Sequence, residues 1–175
     1  FLQDLNGWFS GLLIDLQINK IILFNDRYGM QKIFYHEGKD AFYFASEAKA
    51  LLKVCPNLHE LDMKGLGELM NCECVLENRT IFKNIFLFPA ASAWTFQYNE
   101  IKKDNYFNTS IWENQTWLEK EFFYDKLRDT LRRILPRYFR TKQKIAISLT
   151  GGLDTRMLLA NTQLAAGKYP CYTFG

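Results

Sequence analysis

The stretch that most constrains this chain is Ile145-Ala146-Ile147-Ser148-Leu149-Thr150-Gly151-Gly152-Leu153-Asp154-Thr155-Arg156-Met157, close to the end of its 175 residues. Ile145 to Leu149 is a short apolar run of the kind that forms a buried, parallel-type strand. Thr150-Gly151-Gly152 then reads as a tight turn, and Asp154 opens an Ala/Leu/Met-rich helix. Two glycines allow a sharp turn and a close backbone approach to a ligand. The free N–H groups at the start of a helix would face that ligand, with the positive end of the helix dipole behind them. This is the pattern of a phosphate cradle, but it is neither the Walker loop, which needs Lys-Ser or Lys-Thr after the glycines, nor the three-glycine dinucleotide fingerprint. Spacing alone leaves open a plain strand-to-helix turn in which Thr150 or Asp154 caps the helix.

The string Leu149-Thr150-Gly151-Gly152-Leu153-Asp154-Thr155 closely resembles the Leu-Ser-Gly-Gly-Leu-Asp-Ser loop of the ATP pyrophosphatase family, and in particular of the asparagine synthetases. Thr150 and Thr155 each exchange one hydroxyl residue for another and keep an oxygen able to bond phosphate. Arg156 stands where that family often has a second Ser. Its guanidinium either reaches a phosphate or substrate carboxylate or is a solvated helix residue.

The upstream chain carries further matches in order. Leu5-Asn6-Gly7-Trp8-Phe9, Asn25-Asp26-Arg27-Tyr28-Gly29 and Phe44-Ala45-Ser46-Glu47-Ala48-Lys49-Ala50-Leu51 resemble the C-terminal half of the asparagine synthetase glutaminase domain. Thr80 to Ile85, then Phe88-Pro89 and the strand around Trp94 to Phe96, are similar to that domain's closing segment. There are departures. Asn25 stands at the arginine of the family's Arg-Asp-x-x-Gly, Gln31-Lys32 replaces Pro-Leu, and Pro89-Ala90-Ala91 replaces Pro-Pro-Gly.

Local patterns predict strands in Asn6–Asp15 and Lys20–Asn25. They also predict a hairpin of 33–36 with 41–45, and a helix from Glu47 capped by Ser46. Residues 105–116, rich in Asn, Thr and Gln, read as a connection. Trp117 to Arg140 has helical period, with Pro136 kinking or ending the helix. From Ile145 the order is strand, glycine turn, helix to Ala166, Gly167 as C-cap, and strand Cys171 to Phe174. The expected organisation is the C-terminal part of a glutaminase-type domain (1–107), a linker (108–116) and the N-terminal part of an ATP pyrophosphatase domain (117–175). In fold class this is α+β then α/β. The resemblance implies an N-terminal-nucleophile α-β-β-α sandwich, followed by the first βαβ unit of a doubly wound domain.

Composition excludes some classes. Hydrophobic residues make up 48% and aromatic residues 16%, ample for a core of aromatic-rich strands. A net charge of +3 from 22 basic and 19 acidic residues does not suggest a nucleic-acid partner, and the basic cluster from Arg128 to Lys144 is expected to be a solvated helix face. No apolar run approaches the ~20 residues of a membrane span. Cys72-Glu73-Cys74 is too tightly spaced for a zinc pair. The cysteine usage and the lack of a secretory signal suggest the cytoplasm, with the sequons at Asn78, Asn108 and Asn114 unused.

The resemblance implies glutamine hydrolysis, with ammonia passed to a second site. There ATP activates a carboxylate as an acyl-adenylate, most simply aspartate on the way to asparagine. Leu149, Thr150, Gly151, Gly152, Asp154, Thr155 and Phe174 would bind ATP, with Asp154 on Mg²⁺, a hard cation that prefers carboxylate oxygen. The partners implied are small molecules (glutamine, aspartate or another carboxylate, and ATP). A homodimer is one option that no motif decides. No catalytic residue is assigned within the chain. The family's terminal Cys nucleophile and its acyl-adenylate residues fall outside it, so the chain reads as an internal fragment, inactive alone, and its four internal cysteines cannot use a terminal amine. Two alternatives stand beside this reading: a relative that amidates a sugar acid or closes a β-lactam, and a non-catalytic scaffold.

Overall fold

Side chains alternate along the strand Lys20–Asn25, so Ile21, Leu23 and Asn25 share one face; Leu23 and Asn25 are buried on it, and Ile21, nearer the strand's start, stays exposed. In the computed structural model, which describes residues 1–162, 165 and 167–173, this strand is central to the first of two compact units, Phe1–Asn114 and Gln115–Gly175. In unit 1, β1 (Ser10–Asp15) and β2 (Lys20–Asn25) form one antiparallel hairpin, and β3 (Phe34–Glu37) and β4 (Phe42–Ala45) form another. Helices α1 (Ala48–Val54) and α2 (Met63–Cys72) follow, with a 3₁₀ turn at Pro56–Leu58 between them. Then come β5 (Phe86–Leu87), β6 (Ser92–Gln97) and β7 (Glu100–Asn105). Tyr98 and Asn99, at φ 52° and 62°, turn the chain between β6 and β7, the left-handed pair that a two-residue hairpin loop needs.

The strands build two antiparallel sheets, ordered β1-β2-β6-β7 and β4-β3-β5. They face each other over Leu23, Ile33, Tyr35, Phe88 and Trp94, with Phe42, Phe86 and Phe96 at the margin. Tyr35 meets Trp94 edge-on at 5.0 Å and Phe88 lies 4.6 Å from the same ring, the tilted geometries aromatic quadrupoles favour. The outer face of the second sheet, through Phe34, Tyr43 and Ala45, is covered by Leu51 and Leu52 of α1 together with Leu58 and Ile85. Unit 1 is thus layered helix, sheet, sheet, a mixed α/β arrangement with antiparallel sheets that supplies three of the four layers of the expected α-β-β-α sandwich. On the far face of the first sheet, Phe24 lies across Gly11, where a Cβ would stand 2.5 Å from its ring, and packs against Phe1 and Phe9.

Sequence and structure differ in several places. Ser46 does not cap α1: the helix begins at Ala48 with Glu47 in the cap position and no side-chain cap bond. Asp62 does cap α2, accepting from Lys64 N at 3.0 Å. The first strand starts at Ser10 rather than Asn6. Within the stretch read as a linker, Ser110–Glu113 forms a single helical turn, α3. Trp112 holds it to unit 1 by packing on Phe107 (5.3 Å) and Tyr28 (6.0 Å).

In unit 2, α4 spans Lys120–Tyr138, shorter at both ends than its apolar period. Pro136 sits in the last turn and the helix ends two residues on, the missing N–H falling where few further bonds would follow. The strand–helix–strand order is β8 (Ile147–Ser148), α5 (Leu153–Thr162) and β9 (Cys171–Tyr172), with β8 and β9 parallel. The sequence predicts a helix running to Ala166 with Gly167 as its C-cap; α5 instead ends at Thr162 and Ala165 is not helical. Gly167, at a left-handed φ of 75°, therefore turns the chain beyond the helix, while residues 163, 164 and 166 lie outside the described residues.

Two buried residues anchor unit 1. Asn25 and Asp26 are fully enclosed. The Asp26 carboxylate accepts the backbone N–H groups of Tyr28 and Met30 on one oxygen and that of Gln31 on the other, at 3.0 to 3.1 Å. Burial pushes its pKa up, but backbone hydrogen bonding from Gln31, Met30, Tyr28 and Phe9 outweighs that and holds it below the ordinary carboxylate value. The folded state therefore prefers the ionised carboxyl. Its contribution is complete above the unfolded pKa of roughly 4 and is lost as pH falls through the lower folded value. Asp26→Asn should lower unfolding free energy by about 2–3 kcal/mol at neutral pH, because an amide N–H would face donors that a carboxylate accepts. In denaturant titrations across acidic pH, its stability should fall less steeply than that of the parent.

Two glycines in α2 give an opposed pair of expectations. A Cβ on Gly65 would lie 2.4 Å from the Thr80 carbonyl oxygen, whereas one on Gly67 meets nothing within 4 Å. Gly67→Ala should stabilise by about 0.5–1 kcal/mol through helix propensity. Gly65→Ala gains the same propensity but must push apart two backbone segments, so it should destabilise by roughly 1–3 kcal/mol. Melting the two variants side by side checks the contrast.

Candidate functional site

The glycine turn leaves the carboxyl end of β8, whose neighbours fix its start. Ile147 N–H donates to Pro170 O at 2.9 Å and Leu149 N–H to Tyr172 O at 2.7 Å. Leu149 is half-buried and Thr150, Gly151, Gly152 and Asp154 are exposed in the turn and the first turn of α5. Asp154 is the second residue of the helix, inside it rather than capping it, where a carboxylate complements the dipole. Its side chain has no hydrogen bond or ion pair among the described residues. Thr150 Oγ1 accepts from Gly152 N at 3.2 Å, a local turn that engages one of the loop amides.

Neither glycine of the loop has a positive φ, so the turn does not require glycine for its backbone conformation. A Cβ at Gly152 would lie 3.1 Å from Thr150 Oγ1, while one at Gly151 would meet nothing within 4 Å. Within the described fold, only the space outside the loop is kept clear by the missing Cβ of Gly151.

Arg156 has an arrangement that neither expectation described. It is exposed, yet its guanidinium folds back on the turn: Nη2 donates to Gly151 O at 2.8 Å and Nε to Gly152 O at 3.3 Å. No sequence pattern signals that contact. Thr155 lines a cavity of about 300 Å³ between β8 and α5, beside Ser148, Leu158, Leu159 and Thr162. Leu149, Thr150, Gly151, Gly152 and Asp154 thus lie together at the turn, Thr155 borders the packing below it, and Phe174 lies outside the described residues.

In unit 1, Arg27 does not replace the arginine expected at position 25. It points away, donating to Gln3 O and lying 5.6 Å over Phe107. Position 25 holds a buried Asn that accepts from Ser92 N at 3.0 Å. Cys55, Cys72, Cys74 and Cys171 are all free thiols. Among the described residues no three His, Cys, Asp or Glu side chains converge as a metal site, and no helix is long and apolar enough to cross a membrane.

The two facing antiparallel sheets with a helix over one of them define a mixed α/β amidotransferase-type unit. Residues 1–107 match the family described as a glutamine amidotransferase domain, and the chain belongs to that family. Over both units the chain is similar to glutamine-hydrolyzing asparagine synthetase 3 of Bacillus subtilis (strain 168), 28% identical over 175 residues, covering 95% of this chain and 26% of that protein. It is similar also to asparagine synthetase 2 of the same organism, 29% identical over 192 residues, covering 99% of the chain and 24% of the relative. A probable asparagine synthetase of Schizosaccharomyces pombe is 24% identical over 157 residues, covering 88% and 23%. The chain spans about a quarter of the length of these relatives.

Because Gly151 has open space and an ordinary backbone conformation, Gly151→Ala should leave the melting temperature of the protein within about 2 °C of the parent. A change larger than that would mean the fold itself requires the glycine.

Proposed function

We propose that the full protein is a glutamine-hydrolysing, ATP-dependent amide synthetase, with unit 1 part of the glutaminase and unit 2 the start of an ATP pyrophosphatase domain joined by residues 108–116. The observation that carries this reading is the Thr150-Gly151-Gly152-Leu153-Asp154 turn, set at the carboxyl end of a strand with a parallel neighbour. In open α/β sheets, ligands bind at that end of the strands. The names of the relatives, which align with both units, support glutamine as nitrogen donor and aspartate as acceptor.

The residues present fit a nucleotide. Gly151 leaves clear the space a Cβ would fill, and the N–H groups at the start of α5 lack intrahelical partners. The Thr150 hydroxyl can donate to phosphate while it accepts from Gly152 N. Leu149 and Phe174 are assigned to the nucleoside and Thr155 to phosphate, the last needing its hydroxyl to turn out of the cavity it lines. Asp154 is free to ligate Mg²⁺, which takes one or two carboxylates and completes its shell with water and phosphate oxygens. That mode does not need a cluster of three metal-ligating side chains, and none forms among the described residues.

In this scheme ATP activates a carboxylate as an acyl-adenylate with loss of pyrophosphate, and ammonia from glutamine displaces AMP to leave the amide. The chain's own residues hold the phosphates and metal; the nucleophile and the groups that act on the acyl-adenylate belong to parts of the family's proteins that this chain does not span. The protein is assigned to the cytoplasm. Thr155-Arg156 in place of Ser-Ser favours a second reading, amidation of another carboxylate such as a sugar acid or the closure of a β-lactam.

Asp154→Ala in the full-length protein should reduce aspartate- and glutamine-dependent pyrophosphate release by at least about tenfold while the fold persists, since the residue is exposed. Unchanged pyrophosphate release would remove the loop from the reaction. AMP formation with other carboxylates but not aspartate would select the second reading.

A further inference from the structure

Arg156 is held in an unusual place for a cation. It lies in the first turn of α5, where the helix dipole favours anions, and still binds the loop by two hydrogen bonds, to Gly151 O at 2.8 Å and Gly152 O at 3.3 Å. The two carbonyl oxygens it engages belong to the turn itself, so the guanidinium ties the turn to the helix that follows it. With both occupied, and with Thr150 holding the Gly152 amide, the turn is held in one shape by its own side chains. Among the described residues two of the five guanidinium N–H groups are used, so charge and donors remain at the rim of the loop. The resembling loops carry Ser here, which can neither bridge two carbonyls nor bring a charge.

We propose that Arg156 is a positioning residue for the triphosphate: it staples the Gly151 and Gly152 carbonyls so that the loop is preformed, and it adds a fixed positive charge beside the phosphates. This rests on the ATP-loop reading above, and the two fail separately. Two measurements on full-length protein test it: Mg·ATP affinity by calorimetry at low and high salt, and amide hydrogen exchange of the segment 149–153 without nucleotide. Arg156→Ser should weaken Mg·ATP binding about tenfold, flatten its salt dependence and speed exchange across the turn. Arg156→Lys should restore the salt dependence but not the slow exchange, because an ammonium keeps the charge without the two-pronged geometry. If Arg156→Ser binds Mg·ATP and exchanges like the parent, the proposal is wrong. If the parent itself fails to bind Mg·ATP, the ATP-loop reading falls. The exchange comparison then decides the staple alone, faster exchange in Arg156→Ser supporting it and equal exchange ending it.

Discussion

Unit 1 depends on the way Asp26 uses every hydrogen-bonding group it has. Its N–H donates to Phe9 O at 2.7 Å, its carbonyl accepts from both Gly29 and Ala91, and its two carboxylate oxygens take three more backbone amides. Asn25 does the same one residue earlier, its Oδ1 on Ser92 N and its carbonyl on the Tyr106 hydroxyl at 2.7 Å. Together they tie the end of β2 to the approach to β1, to the 28–31 turn, to the start of β6 and to the chain after β7. An unpaired buried charge would be severely destabilising. Fully partnered, it fixes where four segments cross, and so fixes how the two sheets register over Trp94 and Tyr35.

Much of this frame was legible because it is local. β2 occupies the very residues whose apolar run named it, and the second hairpin is displaced by a single residue at the start of each strand. What could not be read were contacts made at long range. The closeness of Gly65 to Thr80 is a packing fact between a helix and a loop, invisible in a helix that glycine should weaken. The same holds for Trp112, which draws part of a polar connecting stretch onto the ring of Tyr28, distant in sequence. Ser46 looked like a cap because cap statistics concern residue type; the helix start at Ala48 placed Glu47 there instead, without a side-chain bond.

The candidate site was legible as a string and less so as a geometry. Strand, turn, helix and parallel strand follow the expected order, and Asp154 falls in the first helical turn. The reason first given for the two glycines holds only in part. Neither adopts a left-handed φ, so what remains is the clear space beside Gly151. Thr155 shows how one residue step matters on a helix: it lies about 100° round from Asp154, enough to take it from the rim of the turn to the cavity against β8.

Asp26 and Arg156 solve the same problem with opposite charges. Each folds one ionic side chain over a turn and satisfies backbone groups of the opposite polarity, amides in one case and carbonyls in the other. Their surroundings assign them different work. Asp26 is sealed from water, where charge-assisted hydrogen bonds keep their strength and where losing one leaves an unpaired buried group, so its interactions set stability. Arg156 is exposed, where water competes for the same bonds and salt screens the charge, so the contact adds little to the fold. An interaction that contributes little to stability can still fix the shape and the charge of the turn it spans.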